Sequence, residues 1–131
     1  MSATVLVVDN EVFVLEALEA ILDSAGLVSI SAKSGKDGVT IFQERHQEID
    51  LVILDIHLPG MDGVEVLQSL RTIKPGVKVI ISSGYDESDI LRQLGSQPGA
   101  RILKKPYNAR MLLDCVSSEL GPSHGRYSLS G

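Results

Sequence analysis

Four apolar runs in this 131-residue chain end in side chains able to do chemistry. "ATVLVV" at 3–8 is followed by Asp9, Asn10 and Glu11, and "DLVILD" at 50–55 closes on Asp55. "VKVIIS" at 77–82 gives way to Ser83 and Gly84, and "ARIL" at 100–103 runs into Lys104, Lys105 and Pro106. Each has an ordinary explanation when taken singly, because Asp and Asn form turns and cap helices and a lone Lys is usually solvated. Together, two acids, an amide, a hydroxyl and a cation drawn from distant parts of the chain suit a divalent cation and a phosphoryl group. Clustered carboxylates repel unless a hard cation sits among them, and Mg²⁺ takes about six oxygen ligands, several of them water. Asp55 can then serve as nucleophile toward a phosphoryl donor, giving an aspartyl phosphate, while Mg²⁺ and the Lys105 ammonium neutralise charge. The Ser83 hydroxyl can donate to a phosphoryl oxygen, and Gly84 lets backbone approach without a Cβ in the way.

These residues converge only if the elements carrying them lie side by side. Short β-type runs at 3–8, 27–32, 50–55, 77–82 and 100–103 alternate with helical patterns, the signature of βαβ units and a parallel sheet. "TVLVV" and "LVIL" are continuously apolar, as expected of central strands covered on both faces. Val14, Leu18, Ile21, Leu22 and Ala25 keep a helical period that Gly26 should stop. Ser34 suits the N-cap of a second helix through about His46. Val66, Leu67, Leu70 and Ile73 mark a third, ended by "KPG" at 74–76. A weaker fourth is expected from about Glu87 to Leu94, and a last one from Asn108 as cap to about Leu120. In such a sheet the functional crevice lies outside the carboxyl ends of the strands, where the polar residues above collect.

Composition narrows the classes of function. A chain that is 44% hydrophobic and 22% charged fits one globular domain, expected over 1–120. The last eleven residues, "GPSHGRYSLSG", hold three Gly, three Ser and one Pro and show no apolar period. Residues 121–131 are therefore expected to be a flexible tail or linker. A net charge of −5 with scattered Lys and Arg offers no basic face for nucleic acid. The apolar runs are far shorter than the roughly 20 residues of a membrane span, and no leader pattern opens the chain, so a cytoplasmic location is expected. Cys115 stands alone, which excludes an internal disulfide, and its apolar neighbours mark it as a small buried hydrophobe rather than a nucleophile. His46, His57 and His124 have no zinc-ligand spacing.

The chain resembles the receiver domain of two-component response regulators, including the chemotaxis-type single-domain form. "VLVVDNE" at 5–11 is similar to that family's acidic-pocket motif and "LVILDIHLPGMDG" at 51–63 to its phosphoacceptor strand and loop. "VIISSGY" at 79–85 matches the fourth-strand motif and "ILKKPY" at 102–107 the Lys-Pro motif. The resemblance implies a flavodoxin-like doubly wound (βα)5 fold with strand order 2-1-3-4-5. It implies that Asp55 is the phosphoacceptor, with Ser83 as the switch hydroxyl and Lys105 as the phosphoryl-pairing cation. Asp9, Asn10, Asp55 and the backbone carbonyl of His57 are the implied Mg²⁺ ligands, and the peptide between Lys105 and Pro106 is implied to be cis. The expected partners are a sensor histidine kinase or histidine phosphotransfer protein and a downstream output protein or domain, the chain itself being a monomer or weak homodimer. The expected activity is a signalling switch with self-catalysed phosphotransfer and dephosphorylation, not an enzyme in the usual sense.

Two positions depart from the family pattern. Asn10 stands where a second acid is usual, which predicts weaker metal binding, and Glu11 is better placed to favour a helix start. Ile102 stands where an aromatic ring often turns inward on activation. These departures motivate an alternative: a receiver-shaped protein-binding module that works without phosphorylation. A flavodoxin-type cofactor binder is disfavoured, since no Gly-rich phosphate loop follows the first strand, where Asp9-Asn10-Glu11 would repel a phosphate unless a metal intervened.

Overall fold

The computed structural model describes residues 2–84, 92 and 100–121. Five strands, β1 (Thr4–Val8), β2 (Val28–Ala32), β3 (Leu51–Asp55), β4 (Val79–Ser83) and β5 (Ala100–Lys104), form one parallel sheet of order β2-β1-β3-β4-β5. The helices among the described residues are α1 (Val12–Ser24), α2 (Gly35–Arg45), α3 (Gly63–Ile73) and α4 (Ala109–Leu120). Apart from Arg92, which is helical, the expected helix over 87–94 lies outside the described residues, as does all of the expected tail beyond Gly121.

Both expected central strands are central. Every residue of β3 is buried, and so is all of β1 after Thr4, because helices cover both faces of the sheet. Alternate residues feed two cores. Leu6, Val8, Val52, Leu54 and Ile81 face α2 and α3, whereas Val5, Val7, Leu51, Ile53 and Ile80 face α1 and α4. Cys115 is buried in the second core among α4 neighbours, in agreement with its reading as a hydrophobe, and burial pushes its thiol pKa up, away from nucleophilic use.

The helix boundaries follow local chemistry. α1 buries Leu15, Leu18 and Leu22 on one stripe and ends before Gly26, whose φ of 78° suits a residue without a Cβ. Ser34 accepts the Asp37 N–H at 3.1 Å and Asn108 accepts the Met111 N–H at 2.8 Å, so both expected caps form. α3 starts a turn earlier than its apolar period indicates, since Asp62 accepts the Glu65 N–H at 2.9 Å and draws Gly63 into the helix. β4 starts at Val79 rather than 77 and includes Ser83, which pairs with Lys104. Ser83 is thus the last residue of the strand, where the apolar run alone ended it at 82.

The β3–α3 connection is held tightly. Gly63 N–H donates to the Ile56 carbonyl at 3.1 Å, and a Cβ on Gly63 would lie 2.5 Å from Ile56 Cα. Since that obstacle is backbone, it cannot swing aside. Gly63→Ala is expected to lower stability by about 2 kcal/mol, in the range of overpacked sites, while Gly76→Ala, which meets open space, changes it by less than ~0.5 kcal/mol. Urea unfolding midpoints at constant m-value test the contrast.

Candidate functional site

The parallel register carries Asp9, Asp55, Ser83 and Lys105 to one edge. Val8 pairs with Leu54, so Asp9 and Asp55 stand next to each other one step further along β1 and β3. β4 brings Ser82 beside Asp55. β5 ends at Lys104, and the Lys105 N–H donates to the Ser83 carbonyl at 2.6 Å, which anchors the lysine as it leaves the sheet. The Lys105–Pro106 peptide is cis.

The two acids are held in the same way. Asp9 Oδ1 accepts the Glu11 N–H at 2.9 Å, and Asp55 Oδ1 accepts the His57 N–H, also at 2.9 Å. The other oxygen of each faces one cation: Lys105 Nζ lies 3.6 Å from Asp9 Oδ2 and 3.7 Å from Asp55 Oδ2. The ordinary role considered for these acids is therefore partly real, because each does secure the loop that follows its strand. Asp9 does not cap α1, however. Glu11 holds the N-cap position and makes no side-chain cap bond.

Both carboxylates are at least nine-tenths buried. Burial, the largest influence, pushes the Asp55 carboxyl above its ordinary value of 3.8; the His57 N–H and the Lys105 ammonium oppose this, and the Asp9 charge reinforces it. Two acids and one ammonium leave the cluster one negative charge in excess, an arrangement suited to a further cation. Among the described residues no three His, Cys, Asp or Glu side chains come together as a metal-holding group. Two carboxylates supplemented by neutral oxygens fit Mg²⁺, which keeps several waters, better than a transition metal that seeks nitrogen or sulfur.

The remaining expected residues lie around this pair. Asn10 and His57 are exposed and line an open cleft of about 750 Å³ with Ile56, Leu58, Pro59 and Asp62. Ser83 is fully buried. Gly84 is exposed, and a Cβ there would meet nothing within 4 Å. Glycine at 84 thus leaves space above the site but is not demanded by the fold. Ile102 is half-buried and packs on the α2/α3 core. Two residues to which sequence reading gave no role are Ser82, a buried hydroxyl beside Asp55 on the α1/α4 face, and Tyr107, half-buried against the same core. Strand alternation could have separated Ser82 from Ser83; the proximity of Tyr107 had no local signal.

The model of the response regulator receiver domain matches residues 5–117. The chain belongs to that family. It is 35% identical over 119 residues to the sensor kinase CckA of Brucella abortus, a match that covers 91% of this chain but 13% of that kinase. It is 31% identical to the chemotaxis protein CheY of Treponema pallidum, over 88% of this chain and 81% of that protein. Among solved structures it is similar to the CheX-CheY-BeF3-Mg²⁺ complex from Borrelia burgdorferi, with a TM-score of 0.82, 30% identity, and coverage of 88% of this chain and 87% of that one. The chain spans a small part of the sensor kinase and most of the chemotaxis protein, so both free-standing and multi-domain receivers are among its relatives. No helix among the described residues is long and apolar enough to cross a membrane.

The raised Asp55 pKa has a signed consequence for stability. A folded state that holds the proton more tightly than the unfolded chain loses stability as pH rises from the ordinary value of 3.8 through the raised native value. Asparagine does not titrate. In chelator, Asp55→Asn is expected to melt above the wild type at neutral pH, with the gap closing below pH 3.8. Adding Mg²⁺ should raise the wild-type melting temperature more than that of the variant. Melting curves across pH, with and without Mg²⁺, provide the measurement.

Proposed function

We propose that this receiver takes a phosphoryl group onto Asp55, in a Mg²⁺-dependent reaction, from a sensor histidine kinase or histidine phosphotransfer protein in the cytoplasm. The observation that carries this reading is the pair of buried carboxylates, each with one oxygen on a backbone N–H and the other facing Lys105. A scaffold that works by surface contact alone has no need for two acids held at that cost. The receiver unit is taken as 1–120, with 121–131 as tail.

Asp9, the Asn10 amide oxygen, Asp55 and the His57 carbonyl would hold Mg²⁺, which when bound neutralises charge on the phosphoryl oxygens. A carboxylate oxygen of Asp55 attacks phosphorus as the P–N bond of a phosphohistidine breaks. The leaving nitrogen keeps the electron pair and becomes neutral imidazole on taking up a proton. Asp55 is preorganised for attack because its other oxygen is tied to the His57 N–H. Lys105 swings its ammonium from the carboxylate pair onto the transferred group, and the Ser83 hydroxyl donates to a second phosphoryl oxygen. The open space at Gly84 and the exposed cleft beside Asn10 and His57 leave room for the donor and, afterwards, for water that hydrolyses the acyl phosphate. Ser83, Gly84, Ile102 and Pro106 are the residues that respond to the phosphoryl group as the switch. Moving such a switch from 1:99 to 99:1 requires about 5.5 kcal/mol of differential stabilisation, which the contacts of Ser83 and Lys105 must supply together.

Intact-protein mass after treatment with acetyl phosphate over a Mg²⁺ titration tests this. Wild type is expected to gain one phosphoryl group and Asp55→Asn none. Asn10→Asp should reach half-labelling at lower Mg²⁺, as an added ligand charge tightens the site. Lys105→Met should label about 10²-fold more slowly, the usual cost of removing one group that stabilises the transition state. Equal labelling of wild type and Asp55→Asn would sink the assignment. If wild type stays unlabelled at every Mg²⁺ concentration, the phosphorylation-independent binding module takes its place.

A further inference from the structure

A row of polar side chains crosses the α1/α4 face of the sheet at its carboxyl end. Asp9 follows β1, Asp55 ends β3, and Ser82 on β4 is the direct register partner of Asp55. Ser82 alternates with Ile80 on that face, and its carbonyl takes the Ile56 N–H at 3.1 Å. Neighbouring strands lie about 4.8 Å apart, so the Ser82 hydroxyl is the side-chain neighbour of the Asp55 carboxylate. It is 2% exposed, and its Oγ has no hydrogen-bond partner among the described residues, a costly condition for a buried hydroxyl.

The Tyr107 hydroxyl lies close enough to Ser82 to feel its hydroxyl, although no hydrogen bond to Ser82 Oγ is formed. Tyr107 follows Lys105 by two residues, feels the charges of Lys105, Asp9 and Asp55, and packs on the α1/α4 core. With Phe13, Val14, Ile21 and Pro106 it lines an apolar groove of about 420 Å³ that has Lys105 at its margin. Phe13 is 86% exposed.

We propose that the Ser82 and Tyr107 hydroxyls form a reporting relay that links the charge at Asp55 to the apolar groove beside Phe13. The inference rests on Asp55 as phosphoacceptor. Phosphorylation makes Asp55 an acyl phosphate and places new negative charge on the phosphoryl oxygens, toward which the Ser82 O–H turns. Ser82 Oγ thereby becomes the better acceptor, and the Tyr107 O–H closes onto it, each bond strengthening the next. The closing resets the Tyr107 ring and with it the wall of the groove. Tyr107 is a positioning residue here and touches no phosphoryl atom. The relay lies on the opposite side of the sheet from Ser83 and Ile102, whose route to the surface runs over the α2/α3 core.

The chain contains two phenylalanines, exposed Phe13 and fully buried Phe42, so ring labelling gives one groove reporter and one core reference. The test is NMR of the whole chain with ¹³C-labelled Phe and Tyr rings, using beryllofluoride and Mg²⁺ as the probe and ¹⁹F signals to confirm that it is bound. In wild type the Tyr107 signal, identified by its loss in Tyr107→Phe, and the Phe13 signal are expected to shift while Phe42 stays. In Tyr107→Phe and Ser82→Val the Phe13 shift is lost although beryllofluoride still binds, and Ser82→Thr, which keeps the hydroxyl, restores it. A wild-type Phe13 shift persisting in both hydroxyl-deleted variants, or a Tyr107 ring unmoved by bound beryllofluoride, overturns the relay. Absence of bound beryllofluoride at every Mg²⁺ concentration overturns the phosphoacceptor reading and the relay with it.

Discussion

Two carboxylates taken out of water beside one ammonium form the constraint on which this receiver depends. Burying two like charges side by side is unfavourable, and Lys105, at 3.6 and 3.7 Å from the two acids, offsets only part of it. The cluster survives because each acid also holds a backbone N–H, so removing either would leave that donor unsatisfied and Lys105 with a single partner. The uncompensated remainder is visible in the raised pKa of Asp55. A site with charge in excess is ready to gain from a divalent cation, and a lysine shared between two weak partners is ready to move to a stronger one. Stability given up at this edge of the sheet is thus what makes the edge responsive.

The rest of the molecule supplies the rigidity that this arrangement needs. β1 and β3 are buried on both faces, and Thr4 N–H donates to Asp50 Oδ2 at 2.8 Å, which pins the far ends of these strands. The Asp55 loop is fastened by the close approach of Gly63 to Ile56, and Lys105 by its N–H on the Ser83 carbonyl. Asp9, Asp55 and Lys105 are therefore referred to the same five-strand frame. The frame also partitions what lies around the site. Asn10 and His57 open onto a cleft above the acids, Ser83 and Ile102 belong with α2 and α3, and Ser82 and Tyr107 belong with α1 and α4. The proposed phosphorylation of Asp55 would thus have two faces of the sheet through which to act.

Much of this is legible in the sequence. Continuous apolar runs identified β1 and β3 as central, Ser34 and Asn108 as caps and Gly26 as a stop, because propensity, capping and turn chemistry act over a few neighbouring residues. The residues at the strand ends named Asp9, Asp55 and Lys105 correctly as neighbours, since in a parallel sheet every carboxyl end faces the same way. Reading was weakest where a tertiary partner decided the outcome. α3 begins at Gly63 because Asp62 caps it and Ile56 receives its first N–H, and β4 continues through Ser83 because Lys104 is there to pair with it.

The sequence by itself determined the alternation of strands and helices, the identity of the polar groups, and their placement at one end of the sheet. Tertiary structure decided which strand lies against which and in what register. Side-chain alternation is a property of one strand, whereas adjacency is a property of two, and no local pattern in β4 could announce that Ser82 would stand beside Asp55. Nor could it announce that the chain returning from β5 would set the Tyr107 hydroxyl close to that same serine, on the side of the sheet away from Ser83.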